Sequence, residues 1–228
     1  MTISYVGSAA AEATSVTLPA HQAGDLIVFF AWNGGSSTVP TVPSGWSILF
    51  YGTRSSGANR AYSLGFKQAA SSAETSGTWT NAALVGVAVY RHSTNVITIG
   101  GQEINQDNNS TSFAFPSISA VTALNRVFNK LRGANTWIVG VGGINANNLA
   151  FETPPSGMTN RLNLAGASAN EISIHDTDAD VASYAGANVT LAATGIGIAS
   201  CFEIYDTGIP KSSGGGFRPV NIRGGADQ

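Results

Sequence analysis

Hydrophobic and polar positions alternate along much of this chain. Between Arg60 and Lys67, Tyr62, Leu64 and Phe66 share one face, while Ala61, Ser63, Gly65 and Lys67 share the other. A period of two is the signature of a half-buried strand. Leu26-Ile-Val-Phe-Phe-Ala-Trp32 and Leu84-Val-Gly-Val-Ala-Val-Tyr90 are apolar on both faces, which suits strands covered from both sides. Strands are expected at 25–32, 60–67, 84–91, 136–143 and 195–205. Turn clusters separate the first of them: Gly34-Gly-Ser-Ser37, Pro43-Ser-Gly45, Ser55-Ser-Gly-Ala-Asn59 and Ser71-Ser72. Many strands joined by small-residue turns predict an all-β fold, an antiparallel β-sandwich of jelly-roll-like type. One segment breaks the pattern. Val121, Leu124, Phe128 and Leu131 recur at spacings of three, four and three, with Gly133 following. That periodicity predicts one short helix at about 119–132.

The two halves of the chain resemble each other. Gly24-Asp-Leu-Ile-Val-Phe-Phe30 aligns with Asn135-Thr-Trp-Ile-Val-Gly-Val141, and Pro43-Ser-Gly-Trp46 with Pro155-Ser-Gly-Met158. Ala58-Asn-Arg60 aligns with Ala169-Asn-Glu171, and Thr78-Trp-Thr80 with Val189-Thr-Leu191. The expectation is one sandwich domain over residues 1–206, built from pseudo-repeats at about 14–118 and 134–206. Each repeat supplies one set of strands, and the two sets bury each other.

The order Leu18-Pro-Ala-His-Gln-Ala-Gly-Asp-Leu-Ile27, Pro43-Ser-Gly-Trp46, Asn59-Arg60, Thr78-Trp-Thr80 and Val87-Ala-Val-Tyr-Arg91 resembles a family of tailed-phage and prophage proteins. The resemblance covers about residues 1–205. It departs at His92, where the family has glycine after the arginine. The resemblance implies a β-sandwich virion protein: a capsid decoration or minor capsid protein that binds and covers the head, or a tail or fibre protein that binds host surface glycan. It also implies other virion proteins as partners, above all the major capsid protein, and self-association into dimers or trimers.

Composition narrows the classes. Lys plus Arg number 11 and Asp plus Glu 13, so charged residues are 11% of the 228. That is too few for a coiled coil, and a net charge of −2 does not suit a nucleic-acid coat. The single cysteine, Cys201, excludes an internal disulfide framework. The first residues lack the basic and apolar regions of a signal peptide. The uncharged stretch from Val181 to Phe202 is interrupted by Ser183, Asn188, Thr190 and Gly195, so no membrane span is expected. The expected location is the virion, after synthesis in the host cytoplasm.

Candidate chemistry is sparse. His175-Asp-Thr-Asp-Ala-Asp180 has carboxylates at alternate positions, like the start of a calcium loop. Val181 stands where such a loop needs glycine and Ala187 where it needs glutamate, so a solvated acidic turn is expected and no metal. His21, His92 and His175 are isolated, and no nucleophile elbow is present. Cys201 lies in an apolar strand and reads as an inert thiol. Gly140-Val-Gly-Gly143 lacks the lysine of a phosphate loop. Neither an enzyme nor a cofactor is expected. Trp32 and Trp137 read as core, while Trp46 and Trp79, flanked by glycine or threonine, are candidates for a glycan platform.

The composition changes after Asp206. Residues 207–228 carry Gly214-Gly-Gly216, Pro210 and Pro219, which predicts an extended arm outside any core. Lys211, Arg218 and Arg223 against Asp227 leave this segment at +2 and the remainder at −4, of the chain's −2. A basic arm on an acidic body points to docking on a partner. Phe217, Val220 and Ile222, with Arg218 and Arg223, are the expected gripping residues, spaced as anchors of an extended peptide.

Overall fold

Strands that are apolar on both faces need a cover on each side, and the fold supplies it. The computed structural model describes residues 2–54, 60–119, 135–145, 153–167 and 170–211. The strands are β1 (Ile3–Ala11), β2 (Leu26–Asn33), β3 (Ser47–Arg54), β4 (Arg60–Gln68), β5 (Leu84–His92) and β6 (Asn95–Phe115). They continue as β7 (Ile118–Ser119), β8 (Thr136–Asn145), β9 (Thr159–Ala165), β10 (Asn170–Asp176), β11 (Ser183–Tyr184) and β12 (Ala187–Pro210). All pairings are antiparallel. The expected helix at 119–132 lies outside the described residues apart from Ser119, which closes β7.

One five-stranded sheet has the order β1-β5-β2-β4-β3, and the other β6-β12-β8-β10-β9. Counted within each half, both read first, fifth, second, fourth, third among their long strands. Each sheet therefore comes from one half of the chain. A jelly roll instead winds the chain back and forth between its sheets, so the sandwich stands but the jelly-roll wrapping does not. The halves also divide at Ser93 and Thr94, between β5 and β6. β6 is the counterpart of β1 and belongs to the second half, not to the first repeat as its expected end at 118 placed it.

The repeated Pro-Ser-Gly tripeptide makes the same turn twice. Gly45 and Gly157 both adopt φ 84°, and Trp46 N–H donates to Pro43 O at 3.3 Å as Met158 N–H donates to Pro155 O at 2.9 Å. Glycine takes that φ without strain, which fits it to the third position of both turns.

Three apolar layers result. Between the sheets, Val28, Phe30, Trp32, Leu64 and Tyr90 meet Trp137, Val139, Val141, Ile172, Ile174 and Phe202. The outer face of the first sheet buries Ile27, Phe29, Val85, Val87 and Val89 under Val16, Leu18, Val42, Trp46 and Trp79. The outer face of the second buries Ile138, Ile144, Ala199 and Cys201 under Phe113, Phe115, Ile118, Met158 and Tyr184. β1 packs over β9, and β5 over β10 and β9, so the two strand orders run in opposite senses. At one end a polar tie crosses the layers: Trp32 Nε1 donates to Asn170 Oδ1 at 3.2 Å, and Asn145 Nδ2 to Gly34 O at 3.0 Å.

Gly143 shows how close the central packing is. A Cβ there would lie 2.6 Å from Trp32 Cε3 and 3.0 Å from Phe30 Cζ. Overpacking of this kind costs about 1–3 kcal/mol. Gly143→Ala is expected to lower the urea unfolding free energy by that amount. Gly35→Ala, where an added Cβ meets nothing within 4 Å, is the control and is expected to be neutral.

Candidate functional site

The sequence placed its functional hopes on the C-terminal segment, and the structure fixes where that segment leaves the body. β12 runs on to Pro210, so residues 207–210 are strand rather than arm. Thr207 Oγ1 donates to Val96 O at 2.7 Å, and Lys211 N–H donates to Thr94 O at 2.7 Å. The Lys211 ammonium reaches Asp25 Oδ1 at 3.4 Å. Phe217, Arg218, Val220, Ile222 and Arg223 lie outside the described residues.

Asp25 organises this exit. Its carboxylate has no exposure and accepts from Arg91 Nε at 2.9 Å, Arg91 Nη2 at 2.6 Å and Gln22 N–H at 2.9 Å. The bidentate fork joins the start of β2 to the end of β5. Its hydrogen bonds hold the Arg91 guanidinium above its ordinary value, against the opposing effect of burial. His92 shapes the adjoining turn: Asn95 N–H donates to its Nδ1 at 2.9 Å. Nδ1 is thus the acceptor, which puts the proton of the neutral ring on Nε2, 3.6 Å from Asp206 Oδ2. Asn95 Nδ2 donates to the same carboxylate oxygen at 3.1 Å. His92 is therefore the cap of the turn between the halves.

The two candidate tryptophans differ in exposure. Trp79 has no exposed surface, stacks on Phe29 at 4.5 Å between centroids and donates Nε1–H to Ser76 O at 3.1 Å. Trp46 is half-buried, edge-on to Phe29 and Trp79, with the Lys67 ammonium 4.7 Å above its ring. The two rings cover the outer face of the first sheet. Trp32 and Trp137 are buried as expected.

The acidic turn is only partly solvated. Asp176 is fully buried and held by Arg161 Nε at 2.8 Å and Nη2 at 2.9 Å, while the half-exposed Asp178 pairs with Nη2 of the same arginine. The Arg161 guanidinium also lies 4.4 Å over the Tyr5 ring, tying β9 to β1. Burial works against the Arg161 charge, but the two carboxylates outweigh it and hold the group above its ordinary value. Two of the three carboxylates that resembled a metal loop, Asp176 and Asp178, are paired with an arginine. Among the described residues, no three of His, Cys, Asp and Glu come together to hold a metal.

The remaining reactive types are sealed in. Glu171, Ser173 and His175 alternate along β10 on the outer face of the second sheet, and Cys201 lies two strands away on β12. All four are fully buried. Burial pushes the Cys201 thiol well above its usual range, as befits an inert core residue. An open groove of about 410 Å³ lies between Asn105, Phe115, Pro116, Gly186 and Asn188, and no ionisable side chain lines it.

Comparison with known protein families, curated proteins and solved structures found no match.

Two outcomes are expected. Burial pushes the His175 imidazole from its ordinary 6.5 down to about 3. Between those values the unfolded chain holds a proton that the folded chain does not, so stability rises with pH across that window and is lost on acidification. Each unit costs up to about 1.4 kcal/mol, so acidification from pH 7 to 4.5 should remove about 2–3 kcal/mol through this residue. Urea titrations at several pH values check it: the His175→Gln slope should be flatter than that of the wild type. Asp25→Asn breaks a buried pair, but Arg91 retains access to water. Its cost should sit at the low end of the roughly 3–5 kcal/mol for such losses, read as a drop in unfolding free energy at pH 7.

Proposed function

We propose that the chain is a structural protein of a tailed-phage virion, a capsid decoration or minor capsid protein whose C-terminal arm clasps a neighbouring virion protein. The motif resemblance in residues 1–205 supports the class. The observation that carries the role is the anchoring of Lys211. Its backbone is bonded to Thr94 and its ammonium sits on the buried Asp25, so residues 212–228 start from a fixed point on a closed body. A clasp needs such a root, because ordering an extended segment against a partner costs conformational entropy that a moving root would increase. The major capsid protein is the first partner proposed, and the work is surface complementarity repeated over a symmetric shell, where many weak contacts give avidity. Among the described residues, Glu171, Ser173, His175 and Cys201 are buried, and Asp176 and Asp178 are paired with Arg161. The glycan-binding alternative, a tail or fibre protein, draws on Trp46 and Trp79, and of these Trp79 is fully buried and Trp46 half-buried against it.

The test is deletion of residues 212–228, leaving Lys211 and its contacts in place. A cut after Thr207 would confound the result by removing the end of β12. The truncated protein should melt as the full chain does, yet its occupancy on emptied phage heads should fall at least about tenfold. Unchanged occupancy would sink the clasp.

A further inference from the structure

The four sheet edges are not alike. β1 and β9 are tied together across the sandwich: Ser8 Oγ donates to Arg161 O at 2.6 Å, and the Arg161 guanidinium covers Tyr5. β6 is polar over Gln102, Glu103 and Asn105, and its register against β12 shifts at four places. Charge, irregularity and cross-ties of this kind are how natural sheets blunt an edge. β3 lacks most of these devices. It reads Ser47-Ile-Leu-Phe-Tyr-Gly-Thr-Arg54, with no proline, no acid and one charge at its very end. No described strand pairs with its outer side.

β3 also displays an apolar pair. Ile48 is 53% and Tyr51 63% exposed, two of the three large exposed hydrophobic side chains among the described residues. Their odd spacing would put them on opposite faces of a regular strand. The register shift between Ile48 and Phe50 changes that. Leu49 and Phe50 both pack inward on the layer between the sheets, so Ile48 and Tyr51 both face out.

We infer that β3 is a self-association edge, at which a second copy of this chain adds its own β3 antiparallel across a two-fold axis. The strand is complementary to itself. A register that sets Ile48 of each copy against Tyr51 of the other gives each exposed apolar side chain an apolar partner. It also sends the two Arg54 residues to opposite ends, with no like charges opposed. The backbone groups of both edges are then satisfied, and two five-stranded sheets become one continuous sheet of ten. A one-strand contact of this kind is small, so the dimer is a weak one. The inference goes beyond the virion reading and rests on the described edge alone.

Sedimentation velocity of the full chain across roughly 10 µM to 1 mM should show a reversible dimer. The double substitution Ile48→Lys with Tyr51→Lys should raise its dissociation constant at least about tenfold, with far-ultraviolet circular dichroism and melting unchanged. The inference is overturned if the wild type stays monomeric throughout, or if the double variant dimerises as the wild type does. It is also overturned if only deletion of 212–228 abolishes the dimer, which would make the arm the occupant. A second readout does not depend on the lysine variants. The sole native cysteine, Cys201, is buried, so an oxidised mixture of Ile48→Cys and Tyr51→Cys proteins should give more disulfide dimer than either alone. Equal yields in mixture and controls would contradict the pairing.

Discussion

The layer between the two sheets is the contact on which the rest depends. Neither sheet can stand alone, because β2, β5 and β8 are buried along nearly their whole length. Each sheet needs the other on its inner face and its own connecting segments on its outer face. Glycines make the inner contact close: Gly143 receives Trp32 and Phe30, while Gly86 on the opposite sheet receives Ile172 and Leu162. Small residues on one sheet thus face large ones on the other, in both directions. This is how two similar five-strand units interdigitate without large voids.

Polar groups then fix the register at the ends of the sandwich. Trp32 with Asn170 and Gly34 with Asn145 tie one end. At the other, Asp25 gathers Arg91 and Lys211, residues 66 and 186 positions away in sequence. A buried carboxylate with two cationic partners and a backbone donor is specific to one arrangement of three segments, and leaving any of these charges alone would be costly. The same cluster holds the start of β2, the end of β5 and the exit of the C-terminal segment.

The fold class was legible because double-sided apolar runs and clean alternation leave little choice. β2, β4, β5 and β8 begin within a residue of where periodicity placed them. β1 and β6 were not legible. Ile3–Ala11 is largely small residues, and β6 passes through Gln102–Ser112, whose polar composition argues against a strand. What holds β6 is pairing along β12, and such context overrides propensity. Because β1 and β6 share no motif, the boundary between the halves was misplaced. The burial of Trp79 was not legible either, for it depends on a residue distant in sequence: Gly65 lacks a Cβ so that Trp79 can lie against it, Cη2 falling 2.7 Å from where that atom would be. The Asp25 cluster leaves no local signal, since its members meet only in the folded chain.

A sandwich covered on both outer faces has few surfaces left through which to act. On the outer face of its second sheet the polar side chains Glu171, Ser173 and His175 are buried. The perimeter of the described body holds strand edges, the turns at either end and Lys211. β3 and Lys211 lie on different parts of that perimeter, for β3 closes one edge of the first sheet while the exit sits at the junction of β5 and β6. A contact between copies at the first therefore leaves the second free to engage a different protein. If both proposed contacts are made, such a body is suited to being a repeated part of a larger assembly, in which each contact can be weak because many are made together.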